Sequence, residues 1–222
     1  MKGARLRFDG WIADIGTSSG TRVVLGHWTQ SPFGPFSDVM LKQADGERLL
    51  LAPTRSIGDF IASTYSFEHL QVVPVTASAE DASWVVEAGS LTLQFTVGRR
   101  RLLGLLLRAV PGPLAARPAW AGLENLPARL LPGVRTRGSA GEGHREWYGV
   151  LDLWPVTAAT ATFEGHDLGQ LAPIDPPVRF GFGSVPRRPA LVRVTTTVEP
   201  GGRRGLRRLS RVTGHAEGLY RV

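Results

Sequence analysis

The chain has no cysteine among its 222 residues, which removes disulfides, thiolate nucleophiles, zinc ribbons and iron–sulfur ligation together. That absence favours a reducing compartment. Lysine is almost missing as well: only Lys2 and Lys42 stand against 24 arginines, and neither lies in an apolar run. A Schiff-base mechanism, which needs a desolvated amine, has no evident carrier. Long apolar stretches are lacking too. Leu102 to Val110 is interrupted by Arg108 and falls far short of the ~20 residues that span a bilayer. Met1 to Phe8 carries three cations, but Asp9 and Asp14 break any apolar segment after it, so no signal peptide is expected and the chain reads as cytoplasmic.

Motifs with a fixed chemistry are missing in the same way. There is no phosphate-binding loop, no dinucleotide-binding glycine pattern between a strand and a helix, and no G-x-S-x-G elbow. Gly138-Ser139-Ala140-Gly141-Glu142-Gly143 is glycine-rich in the wrong order and reads as a hairpin loop. The five histidines, at 27, 69, 144, 166 and 215, form no H-x-H or H-x-x-x-H pair, so no metal site is expected. Any chemistry here is expected to be cofactor-free.

What the chain does contain is enough apolar material for a core, 42% hydrophobic against 20% charged residues. Its formal charge of +7 is unevenly placed. Residues 201 to 222 hold six arginines and one glutamate, a net of +5, leaving +2 for the preceding 200 residues. A nearly neutral body argues against a broad nucleic-acid-binding face, whereas the tail suits any polyanion.

Local patterning is dominated by strands. Ala4 to Phe8 alternates and Trp11-Ile12-Ala13 is β-rich, which predicts one long or bulged strand closed by Gly16 to Gly20, with Thr21 to Trp28 as its hairpin partner. Ser31-Pro32-Phe33-Gly34-Pro35-Phe36 reads as a loop, and Asp45-Gly46 as the turn joining Asp38–Gln43 to Arg48–Ala52. Thr54 fits an N-cap, and Ile57, Phe60, Ile61 and Tyr65 share one helical face. Further strands are expected at 69–75, 83–88, 91–97, 145–153, 156–163, 178–182 and 191–198, with helical turns around 120–131.

About eleven strands against two or three short helices make the fold mainly β, a large antiparallel sheet closed or nearly closed into a barrel, with a two-layer β-sandwich as the alternative. Residues 1–200 are expected to form one β-rich domain, in which 99–133 is a proline-rich connector or insertion between two strand-rich halves. Residues 201–222 follow as a flexible arginine-rich tail.

Two concentrations of aromatic and polar residues remain as candidate sites. The first runs from His27 and Trp28 through Phe33 and Phe36 to Asp38. In the second, alternation puts His144, Glu146, Tyr148, Val150 and Asp152 on one strand face and Arg145, Trp147, Gly149, Leu151 and Leu153 on the other. Phe180 and Phe182 share a face opposite Gly181 and Gly183. These patterns point to a barrel cavity for a small, largely apolar organic molecule, with Trp28, Phe33, Phe36, Tyr148, Phe180 and Phe182 as walls. Its enzymatic version is an isomerase, cyclase, dehydratase or decarboxylase. There Glu146 or Asp38 serves as acid or base, His27 or His144 relays the proton, and Arg145 or Arg179 holds an anionic group. The alternative is an interaction module that docks on nucleic acid, an acidic protein or an anionic membrane through residues 201–222.

Overall fold

Alternation in the first residues does produce one strand, β1 (Leu6–Thr17), with Trp11, Ala13 and Ile15 on one side and Leu6 and Phe8 on the other. The computed structural model describes residues 5–100, 137–139, 145–174 and 188–199, with backbone alone for 137–139 and 145–148. The helical turns expected near 120–131, the strand at 178–182 and the tail 201–222 lie outside the described residues. Strand β2 (Arg22–Gln30) returns along β1 after Gly20, whose φ of 87° suits the tight turn. Strands β3 (Phe36–Lys42) and β4 (Arg48–Ala52) form the hairpin around Asp45-Gly46. Gly46 takes φ 101° there and donates its N–H to Gln43 O at 3.0 Å.

Helix α1 (Arg55–Thr64) starts where Thr54 Oγ1 accepts the Ile57 N–H at 3.3 Å. It buries Ile57, Phe60, Ile61 and Thr64, the three-and-four spacing of an amphipathic face. Tyr65, expected inside the helix, instead caps it in an extended conformation, although its ring still reaches the same apolar cluster. By crossing over the sheet, α1 lets β5 (His69–Val72) pair parallel with β4, since a parallel pair needs a long connection rather than a hairpin.

Strands β6 (Val75–Glu80), β7 (Ser83–Ala88) and β8 (Leu91–Val97) form a meander. The strand expected at 69–75 is therefore two, split at Val73-Pro74 because proline cannot donate to a ladder. Conversely, the two strands expected at 145–153 and 156–163 are one, β10 (Arg145–Phe163), with β9 (Arg137–Ser139) paired to its start. Pro155 sits where β10 changes partner. Residues up to Pro155 pair with β13 (Ala190–Glu199), and those from Val156 pair with β8. The Pro155 carbonyl accepts the Gly98 N–H at 2.8 Å, which ties the end of β8 to the point where β10 changes partner. Two short strands, β11 (His166–Asp167) and β12 (Leu171–Ala172), pair with β10 and β1.

All thirteen strands among the described residues join one sheet, whose main path runs β5-β4-β3-β2-β1-β13-β10-β8-β7-β6. It curls into a half-barrel. Its two end strands, β5 and β6, are consecutive in the chain and separated by Val73 and Pro74 alone, so the far edges of the sheet approach each other there. One continuous curled sheet replaces the sandwich alternative. On its inner face Ala13, Ile15, Val23, Leu25, Val39, Leu41 and Leu51 meet Val86, Leu91, Leu93 and Phe163 from the opposite side, nearly all without solvent exposure. The other face of β1–β4 is covered by α1 over Phe8, Leu50, Ala52 and Val198.

Two glycines separate a rigid contact from a yielding one. A Cβ at Gly10 would overlap the His27 carbonyl oxygen and lie 2.9 Å from Trp28 Cα, so backbone would have to move. A Cβ at Gly58 would meet Leu70 methyls at 2.8 and 3.0 Å, and these can rotate away. Gly10→Ala should lower unfolding stability by about 2 kcal/mol or more. Gly58→Ala should be within about 0.5 kcal/mol of neutral, because the helix gains propensity as Leu70 yields. Urea denaturation midpoints of the two variants check the contrast.

Candidate functional site

Strand parity on β2 and β3 sorts the first group of candidate residues onto opposite faces. His27 pairs with Ser37, while Gly26 pairs with Asp38. The imidazole lies on the inner face, with Nδ1 2.9 Å from Ser37 Oγ and its ring edge-on to Trp84 at 5.5 Å. Burial holds its pKa below the ordinary 6.5, so it is neutral at pH 7. Asp38 lies on the helix-covered face, 2% exposed, where its Oδ1 accepts the Trp28 Nε1–H at 3.0 Å. His27 and Asp38 therefore do not form a proton relay.

Trp28, Phe33 and Phe36 stay with Asp38. Phe8 takes Trp28 edge-on at 5.6 Å and stacks on Phe60 at 5.4 Å, and Phe33 touches Phe8, Phe36 and Phe60. These rings form an apolar cluster between the sheet and α1, so the Pro-Phe-Gly-Pro-Phe loop tucks its phenylalanines beneath itself. Gly26 leaves the room for the carboxyl: a Cβ there would lie 2.6 Å from Asp38 Oδ1.

In the second group the alternation fails at one residue. The β10–β13 register shifts between Val150 and Asp152, leaving Leu151 as a bulge, so Val150 pairs with Val194 but Asp152 pairs with Arg193. Asp152 therefore turns to the inner face, opposite to Val150. Arg145, Glu146 and Tyr148 pair through their backbones with Glu199, Val198 and Thr196. His144, Arg179, Phe180 and Phe182 lie outside the described residues.

A second bulge lies at the same level of the sheet. The β1–β2 register shifts between Asp9 and Gly10, where Gln30 pairs with Asp9 and Trp28 with Gly10, leaving Thr29 over. Between these two bulges, on the inner face, is a half-open groove of about 440 Å³, lined by both bulge residues and by Arg7, Asp9, Trp11, Gln30, Arg193 and Thr195. Trp11 lines it and belongs to a tryptophan layer beneath. Trp11 lies 5.2 Å from Trp154 and 6.1 Å from Trp84, and Trp84 stacks on Phe95 at 5.8 Å, which separates the groove from the apolar core.

The groove walls are polar and largely tied. Asp9 accepts from Arg7 Nε at 2.8 Å, from the Arg7 terminal nitrogen at 3.0 Å and from Thr195 Oγ1 at 2.5 Å. Next to the groove, on the far side of β13 from Asp9, Asp152 accepts from Arg100 Nε at 2.9 and 3.1 Å, and that guanidinium lies 4.3 Å above the Trp154 ring centre. Arg193 lies 5.8 Å from the Trp11 ring centre. None of Trp11, Trp84, Arg100 or Arg193 was among the residues singled out from sequence. Arg193 carries the clearest overlooked signal, a charge inside Leu191-Val192-Arg193-Val194. Among the described residues no cluster of three or more metal-ligating groups occurs, and no helix is long and apolar enough to cross a membrane.

No family model matches the chain, and no curated protein matches it. Among solved structures it is similar to acetoacetate decarboxylase from Legionella pneumophila, at 13% identity and TM-score 0.41 over 90% of this chain and 86% of that one. A second acetoacetate decarboxylase structure gives 8% and 0.39 over 89% and 85%. CghA in complex with Sch210972 gives 12% and 0.34 over 88% of this chain, which spans 46% of CghA.

Two buried carboxyls on the helix-covered face make a prediction about pH. Asp14, 4% exposed, and Asp38 are each pushed up to about 7 by burial, the Trp28 hydrogen bond only partly opposing this at Asp38. One oxygen of each, Asp14 Oδ1 and Asp38 Oδ2, has no hydrogen-bond partner. The ordinary value is 3.8, so between 3.8 and about 7 the native state holds more protons than the unfolded chain, and stability falls as pH rises. His27 slopes the other way below 6.5, so the comparison with a variant isolates the carboxyl. Asp38→Asn should gain about 1–4 kcal/mol relative to the parent between pH 5 and pH 8. Parallel curves of urea midpoint against pH would refute the assignment.

Proposed function

We propose that the groove on the inner face of the half-barrel binds a small organic molecule with a planar, largely apolar body. The observation that carries this is the pair of β-bulges, at Thr29 and Leu151, flanking one level of the sheet directly above the tryptophan layer. Bulges re-aim side chains and interrupt pairing, and they concentrate next to functional sites. Here they open the inner face beside a core that is filled by side chains. Its volume of about 440 Å³ lies within the range of small-molecule pockets. Trp11 offers a flat ring to stack on, and Gln30 offers an amide at the rim.

Binding, rather than a reaction, is the reading favoured here. Asp9 and Asp152 already accept from guanidinium groups, and the Ser37 hydroxyl beside His27 is buried, only 5% exposed. Decarboxylation through an imine, which the names of two structural neighbours bring to mind, needs a desolvated lysine amine. Lys42 ends β3 in register with Arg22 and Arg48, two cations, away from the groove, and Lys2 lies outside the described residues.

Isothermal titration with a panel of bicyclic aromatic compounds, neutral and anionic, tests the proposal. At least one should bind, and Gln30→Trp, which fills the groove from its rim without touching the tryptophan layer, should weaken it about tenfold or more. Trp11→Ala should do the same where near-ultraviolet circular dichroism shows the fold retained. A panel without a binder, or binding indifferent to both substitutions, would remove the groove as the site.

A further inference from the structure

Resting on that reading of the groove, we propose that its ligand is an organic carboxylate and that Arg193 is the residue that receives the carboxylate group. The inner face around the groove is dense in charge. Among the described residues it holds three guanidinium groups, on Arg7, Arg100 and Arg193, and two carboxylates, on Asp9 and Asp152. Each carboxylate is taken. Arg7 binds Asp9 through two nitrogens, and Arg100 Nε reaches both oxygens of Asp152. That leaves one cation over.

Position makes Arg193 that remaining cation. Its strand neighbours are Trp11 on one side and Asp152 on the other, so a salt bridge to Asp152 would be the ordinary cross-strand outcome. Asp152 is turned to Arg100 and also accepts the Leu153 backbone N–H at 2.9 Å. Arg193 is exposed, and among the described residues its partner is the ring of Trp11. The guanidinium is held 5.8 Å from the Trp11 ring centre by cation–π attraction, and its N–H fork, which no described carboxylate occupies, can match a ligand carboxylate with two parallel hydrogen bonds.

The other polar groups of the groove fit the same ligand. Thr195 spends its hydroxyl proton on Asp9, and Thr29 gives its own to the Asp9 carbonyl at 3.1 Å. Both hydroxyl donors are therefore used, and Arg193 is the strong donor still open, so the ligand must bring an acceptor. One free cation suits one negative charge. A phosphate would ask for more: among the described residues no helix N-terminus lines the groove, and the one lining glycine, Gly10, lies within the paired part of β1. An aromatic or alicyclic body on Trp11 with a carboxylate at Arg193 uses both features at once.

The matched pair naphthalene-2-carboxylate and naphthalene-2-carboxamide, which differ only in head-group charge, tests this by isothermal titration against the full chain. The carboxylate should bind about tenfold tighter than the amide. Raising the ionic strength should shrink that gap, and Arg193→Gln should abolish it. Arg193→Lys, which keeps the charge and loses the fork, should fall between, and it serves in place of Arg193→Gln should that variant unfold. Equal binding of the two compounds, with Gln30→Trp weakening both, would overturn the carboxylate and leave the groove standing. A gap that survives Arg193→Gln would overturn the role of Arg193. Binding of neither compound would overturn groove and carboxylate together. Displacement of the carboxylate by inorganic phosphate would replace the carboxylate with a phosphate group.

Discussion

The fold depends on the bend in β10. For eleven residues this strand extends the large sheet next to β13, and from Val156 onward it leads the smaller meander next to β8. Because backbone pairing continues through the bend, the sheet turns back on itself without breaking, and the meander closes over β1 to β4 at the distance side chains can fill. Pro155 marks the change of partner, and hydrogen bonds from Gly98 to Pro155 and from Val156 to Pro189 hold both flanks of it. The apolar core follows from that geometry: residues far apart in sequence, such as Ile15 and Leu93, come to share one interior.

The same bend decides where the core stops. Trp84, near the start of β7, reaches across to Trp11 on β1, and Trp154, one residue before Pro155, closes the third side. Above this layer the described meander no longer covers the inner face, and the side chains there are Arg7, Asp9, Arg193 and Thr195 rather than leucine and valine. Groove and core are two ends of one surface, divided by three indoles. Removing an indole would therefore act on stability and on the groove together, whereas a change at the rim acts on the groove alone.

Local patterns made most of the strands legible. The helix cap at Thr54, the turn at Asp45-Gly46 and the alternation of Leu91, Leu93 and Phe95 are each written within a few residues. What escaped reading was non-local. A bulge such as Leu151 is defined by the partner strand, so the sequence of β10 alone suggested an unbroken alternation and put Asp152 on the wrong side. Trp11 and Arg193 lie 182 positions apart and become a pair only through the β1–β13 register. The aromatic cluster around Phe33 and Phe36 was visible as composition, but whether it faced a cavity or a helix was fixed by α1 crossing over β4.

Parity along β2 and β3 also separates two tasks. Polar groups on the helix-covered face, Asp14 and Asp38, are dry and incompletely hydrogen-bonded, which ties them to stability through their protons. Those on the inner face around the groove, Arg7, Asp9, Arg100 and Asp152, are arranged in ion pairs whose partners are all in place. A buried carboxyl without a cation beside it stays neutral most easily. An exposed guanidinium without a carboxylate stays charged and available. Because adjacent residues of a strand point to opposite faces, the chain can place Asp38 one residue from Ser37, the hydrogen-bond partner of His27, and still keep proton-linked stability apart from charge recognition. The barrier between the two is the sheet backbone itself, whose hydrogen bonds are satisfied within the plane and leave neither face a polar route to the other.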